Sequence, residues 1–141
     1  MKNGITGLGG IFFKSKDPKA SMDWYAQNLG LEVDGQYGTS FSWLSDQNPE
    51  NRGYTVWSRV KETTDYFKPA ELPFMVNFRV ANLEALLVEL AAKGIQQIGE
   101  MQAFEYGKFA WIMDPNGVKI ELWEPNDEAY NQMAGSQVHK T

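Results

Sequence analysis

Phe41-Ser-Trp-Leu-Ser-Asp46 and Phe109-Ala-Trp-Ile-Met-Asp114 are two copies of one pattern, F-x-W-[LI]-x-D, set about half a chain apart. A turn-rich stretch follows each Asp, and then a strand-like run ends in Trp, at Trp57 and at Trp123. Upstream, Gly10-Ile-Phe-Phe-Lys-Ser-Lys-Asp17 parallels Met75-Val-Asn-Phe-Arg-Val-Ala-Asn82. A helix-like segment closed by glycine follows each of these, at Gly30 and at Gly94. Four elements recurring in one order argue for an old duplication, and the small drift in spacing is what loop insertions leave behind.

Each half reads as a strand, a helix and three strands. The first strand spans about Gly10–Ser15. Asp17 is a good N-cap and Pro18 fits the first helical position, because its missing N–H would be unsatisfied there anyway. The helix runs to about Leu29, with Gly30 as its stop. In the second half Asn82 is the cap, and Leu83, Leu86, Leu87, Leu90 and Ala91 form one apolar stripe for the core. The later strands are expected over Val33–Tyr37, Ser40–Leu44 and Tyr54–Ser58, then over Ile95–Met101, Lys108–Met113 and Lys119–Trp123. Asp114-Pro-Asn-Gly117 has strong turn chemistry. The chain is therefore read as a single domain: module one about 5–60, a linker about 61–73, module two about 74–125 and a polar tail over 126–141, with a short helix over Asp127–Met133.

Composition narrows the chemistry. The 141 residues suit one ordinary domain. No cysteine is present, which excludes thiolate nucleophiles, disulfides and iron–sulfur sites. The one histidine, His139, lies in the tail and reads as solvated. With 13 basic against 18 acidic residues the formal net charge is −5, which speaks against a nucleic-acid partner. No apolar run approaches the roughly 20 residues of a membrane helix, and the N-terminus makes a poor signal peptide. The expectation is a cytoplasmic protein with neither nucleic acid nor membrane as partner.

Alternation along the strands separates two faces. Ile11, Phe13, Val76, Phe78, Val80, Val56, Ile120 and Leu122 form an apolar set expected to pack on the helices. The opposite face gathers Phe12, Thr55, Trp57, Asn77, Arg79, Glu121 and Trp123. Tryptophans beside charges and an amide are expected in a partly apolar cavity with a few polar anchors, since bare Trp on an open face invites aggregation. Glu121 reads either as a pocket carboxylate or as the ion-pair partner of Arg79. Arg79 could instead clamp an anionic group on a ligand. Trp43 and Trp111 read as cavity lining or core filling.

The chain resembles the vicinal oxygen chelate superfamily, also called the glyoxalase/bleomycin resistance/dioxygenase superfamily. The motifs are Asp17-Pro18, Trp24-Tyr25-Ala-Gln-Asn-Leu29-Gly30-Leu31, the helix ending at Gly94, Asp114-Pro-Asn-Gly117 and Ile120-Glu121-Leu-Trp-Glu-Pro125. The resemblance implies an α+β fold in which two βαβββ modules form a cupped, half-open mixed β-barrel with helices outside. It also implies a homodimer and, in the metal enzymes, a divalent ion that chelates substrate oxygens as a Lewis acid. The four ligand positions fall on Gly10, Thr55, Met75 and Glu121. Only Glu121 is a competent ligand for a hard cation, because glycine offers no donor and methionine is too soft. No metal and no other cofactor is therefore expected.

Glyoxalase I and extradiol dioxygenase activities depend on that ligand set. The favoured reading is a glyoxalase-like protein that binds a small organic molecule between the cupped sheets. The alternatives are a lyase- or isomerase-type enzyme with Glu121 as catalytic proton-transfer base, and an atypical metal-dependent lactoylglutathione lyase or dioxygenase relative. The ligand-binding residues would be Phe12, Thr55, Trp57, Asn77, Arg79 and Trp123.

Overall fold

The structure, a computed structural model, describes residues 2–33, 38–44 and 52–126, together with the backbone of 138–139. The elements in chain order are β1 Ile5–Ser15, α1 Pro18–Leu29, β2 Thr39–Leu44, β3 Arg52–Lys61, β4 Phe74–Val80, α2 Leu83–Ala92, β5 Gln102–Phe104, β6 Gly107–Met113, β7 Lys119–Pro125 and the two-residue β8 Val138–His139. The expected strand over Val33–Tyr37 falls mostly, and the helix over Asp127–Met133 wholly, outside the described residues, as does the His139 side chain.

Both helix starts follow from their caps. The Asp17 carboxylate accepts from Ala20 N at 3.0 Å, and the Asn82 amide oxygen accepts from Ala85 N at 3.1 Å. Each meets a backbone N–H that the first turn leaves without a partner. Gly30 takes φ 69° and closes α1 with bonds to the Ala26 and Tyr25 carbonyls. A left-handed residue costs glycine nothing, because it has no Cβ.

The strands form one mixed sheet in the order β5-β6-β7-β4-β1-β3-β2-β8, open at both ends. The duplication is visible in this order. In each half the first strand lies innermost, and the last strand of the half lies parallel beside it: β1 with β3, and β4 with β7. The preceding strand then pairs antiparallel outside, β2 on β3 and β6 on β7. The halves meet through the antiparallel pair β1–β4. This is the expected α+β cup, with the helices outside and the sheet left open.

Leu83 and Leu86 of α2 pack against Val80, Ala110, Ile120 and Leu122 of the sheet, backed by Val76 and Phe78. Each buried aliphatic of this kind contributes about 1.5–3 kcal/mol from area removed from water. The helix-facing set of β4 and β7 is thus as expected. β3 is not. Its register pairs Gly10 with Val56 and Ile11 with Trp57, so Val56 turns inward and Trp57 outward. Trp57 packs on α1 through Phe13 (4.9 Å between centroids) and Tyr25 (5.6 Å). The expectation failed because both faces of β3 are partly apolar: Tyr54 and Val56 on the inner face are as hydrophobic as their neighbours outside. Alternation identifies a face only when one side is wet.

The strand expected over Ile95–Met101 is displaced to Gln102–Phe104. Residues 95–101 instead close α2 and cross to β6. Ile95 N donates to Leu90 O, Ile98 N donates to Trp111 O at 2.7 Å, and Gly99 sits at φ 69°.

β1 carries Gly7, Gly9 and Gly10, and its pairing with β4 shifts register between Leu8 and Gly10. A Cβ on Gly9 would lie 2.0 Å from Asn77 Oδ1, and one on Gly7 would lie 2.5 Å from the Trp43 ring. The bare backbone of this bulge is the floor on which inner-face side chains lie.

Candidate functional site

Five strands bring one row of residues to the same level of the sheet: Val56 on β3, Gly10 on β1, Asn77 on β4, Glu121 on β7 and Trp111 on β6. These residues share the inner face. Glu121 is 4% exposed and Asn77 2%. Glu121 Oε1 accepts from Asn77 Nδ2 at 2.7 Å. Glu121 Oε2 accepts from Trp111 Nε1 at 2.9 Å and from the Tyr66 hydroxyl. Hydrogen bonds to a carboxylate contribute about 1.5–3 kcal/mol each.

Tyr66 comes from the linker between β3 and β4. Its neighbour Phe67 is 1% exposed and packs with Met75 and Trp111, against Phe12 and Val60. The linker is therefore folded onto the inner face. Lys119 Nζ donates to the Tyr66 carbonyl at 2.5 Å and lies 5.1 Å from the Tyr66 ring and 5.9 Å from the Trp111 ring. Burial lowers the Lys119 amine from the usual lysine range, with the Glu121 charge pulling the other way. Burial raises the Tyr66 phenol well above its ordinary range, and the Glu121 charge and hydrogen bond add to the rise. Tyr66 is thus held as a neutral donor.

Toward the lip of the cup the inner face is aromatic. The Arg79 guanidinium lies over Trp43 at 5.5 Å and over Trp123 at 5.2 Å, a cation between two ring faces. Phe109 stacks on Trp123 at 5.8 Å with planes 6° apart. Phe104 and Tyr106 stack on each other at 5.5 Å, and Phe109 meets both edge-on. Phe104 is 48% exposed.

Of the residues expected on this face, Phe12, Asn77, Arg79, Glu121 and Trp123 lie on it. Trp57 packs on α1 instead. The Thr55 hydroxyl donates to Leu8 O at 2.6 Å and accepts from Trp43 Nε1 at 2.9 Å. The register sets Val56, not Thr55, at the level and on the face of Glu121. Aligning Trp57 with Trp123 puts the wrong face of β3 inward, because a shift by an odd number of residues reverses every side chain. Glu121 takes its described hydrogen bonds from Asn77, Trp111 and Tyr66, not from Arg79. Tyr66 and Lys119 stand outside the set of site residues that the sequence suggests, and Trp111 reads there as cavity lining or core filling. The available signal was the adjacent pair Tyr66-Phe67 inside an otherwise polar linker.

The superfamily's divalent metal does not fit the residues present. Gly10 has no donor, Met75 is 1% exposed within an apolar cluster, the Thr55 hydroxyl is engaged by Leu8 O and Trp43 Nε1, and both Glu121 oxygens are already accepting. Among the described residues no three His, Cys, Asp or Glu side chains converge as a metal-ligating group.

The profile of the Glyoxalase/Bleomycin resistance protein/Dioxygenase superfamily matches residues 8–122. Curated protein sequences contain no match. Among solved structures, a variant of Streptomyces coelicolor methylmalonyl-CoA epimerase in complex with 2-nitronate-propionyl-CoA is similar, with TM-score 0.63, 16% identity, and coverage of 87% of this chain and 99% of the other. Methylmalonyl-CoA epimerase from Mycobacterium tuberculosis has TM-score 0.55 and 20% identity over 89% and 92% of the two chains. A Legionella pneumophila protein described as an NAD-dependent benzaldehyde dehydrogenase has TM-score 0.54 and 13% identity over 83% and 98%. At these identities the likeness is one of fold.

Proposed function

The chain belongs to the Glyoxalase/Bleomycin resistance protein/Dioxygenase superfamily, and on that premise we propose that its inner face binds a small organic molecule without the superfamily's divalent metal. One observation carries the reading. The single carboxylate left of the ligand set, Glu121, accepts from three donors of its own chain, while an aromatic surface runs from it to the lip. A carboxylate so engaged, and 4% exposed, takes a donor from a ligand only in place of one of those three. The flat rings of Phe109, Tyr106 and Phe104 suit a planar, partly apolar body. We place this protein in the cytoplasm as a homodimer, since many relatives complete their sites between subunits.

A thermal-shift screen of small molecules tests the reading, because a ligand specific to the native state raises the melting temperature. The expected hits are planar and partly apolar. They should bind about tenfold more weakly to Phe104→Ala, whose ring is exposed and whose loss leaves the core intact. If no member of a broad library shifts the melting temperature, the proposal fails. Sedimentation that finds only single chains at high concentration would remove the dimer.

A second reading, proton transfer by Glu121, is favoured by one contact. The Tyr66 hydroxyl on Glu121 Oε2 sets a neutral phenol beside the carboxylate that would act as the base. Turnover abolished by Glu121→Gln with ligand binding retained would support it.

A further inference from the structure

We propose that Tyr66 is an internal ligand of the inner face, and that the Glu121–Trp111–Lys119 end of that face takes an external neutral ring bearing a hydroxyl or N–H donor by exchange with it. The inference rests on the reading that this face binds small molecules, and it names what that face recognises.

The surroundings of the Tyr66 ring define the chemistry. Its hydroxyl meets a buried carboxylate. The Trp111 ring stands edge-on to it at 6.2 Å and 89°. Lys119 lies 5.1 Å away over its face. An occupant must offer a donor, because Glu121 is 4% exposed and loses a hydrogen bond when the phenol leaves. A neutral ring suits it, because the carboxylate and the nearby ammonium already balance each other and leave no net charge to match.

The linker is built for such an exchange. Phe67 is 1% exposed and stays in its cluster with Met75 and Trp111, whereas Tyr66 is 46% exposed. Asn77 and Trp111 sit on sheet strands, and of the three donors to Glu121 Tyr66 alone lies outside the sheet. The Tyr66 ring can turn outward while its carbonyl keeps the Lys119 bond.

The test uses p-cresol, the tyrosine side chain without its backbone, and toluene, which lacks only the hydroxyl. Binding to the full chain is read by calorimetry and thermal shift. Tyr66→Ala should bind p-cresol at least about tenfold more tightly than wild type, the value of one hydrogen bond to a charged acceptor. Toluene should show no comparable gain. Tyr66→Phe, which keeps the ring and the packing, should shift p-cresol affinity in the same direction by a smaller factor. A folded Tyr66→Ala that binds p-cresol no better than wild type overturns the exchange. So does a gain for toluene equal to that for p-cresol, or no gain in Tyr66→Phe if Tyr66→Ala does not fold. A screening hit that binds wild type and Tyr66→Ala alike leaves the proposed function standing and overturns the exchange. A gain for p-cresol with no wild-type ligand found supports the exchange and counts against the function.

Discussion

Glu121 stands where the superfamily resemblance places a metal ligand, yet the residues around it are donors, and that difference sets its chemistry. The phenol of Tyr66 supplies a pH signature. Its folded-state pKa is raised above the usual 10 by burial and by the Glu121 charge. Near and above that pH the unfolded chain loses the phenolic proton while the folded chain keeps it. The folded state then binds more protons, so stability falls as pH rises. The contribution is complete below about pH 10 and declines above it. Lys119 has the opposite sign, because its folded pKa is lowered and stability gained there rises with pH. Comparing wild type with Tyr66→Phe isolates the phenol, since the Lys119 bond is to a backbone carbonyl. In urea melts the wild-type midpoint should fall more steeply than that of Tyr66→Phe above about pH 10. Parallel midpoints across that range would contradict the raised pKa.

At the scale of elements, β1 shows how a strand makes room for the site. Asn77 lies over Gly9 and donates to Glu121, so it cannot retreat from a new Cβ. Gly9→Ala should destabilise by about 1–3 kcal/mol, the cost of overpacking a filled interior, and chemical denaturation reads it. An unchanged midpoint would show that β1 can shift and that the bulge is not needed. Elsewhere the elements divide by how local their signals are. The caps at Asp17 and Asn82 and the stop at Gly30 were legible, because each is decided by one residue and its own turn. β5 was misplaced, because Ile95 to Met101 looks strand-like in composition while its backbone bonds go to α2 and to Trp111. The orientation of β3 was lost for a different reason: two partly apolar faces leave no alternation to follow.

For the molecule as a whole, the metal question is one of four strands at once. The superfamily's ligand set combines positions on β1, β3, β4 and β7, and here the inner face offers Gly10, Val56, Met75 and Glu121 there. Dialysis against EDTA and addition of Mg²⁺, Mn²⁺, Ni²⁺ or Zn²⁺ should each move the melting temperature by less than about 1 °C, since an ion that does not prefer the native state cannot stabilise it. A saturable rise of several degrees with one of these ions would refute this. The amino-acid sequence by itself determined the duplication, the helix boundaries, the poverty of metal ligands and the candidacy of Glu121, because repeats, caps and residue types are local facts. Tertiary structure alone decided which groups meet that carboxylate. Tyr66 reaches it across 55 positions of sequence and Asn77 across 44. Contacts at that range depend on strand register and on how the linker folds back over the cup, and neither leaves a periodic trace along the chain.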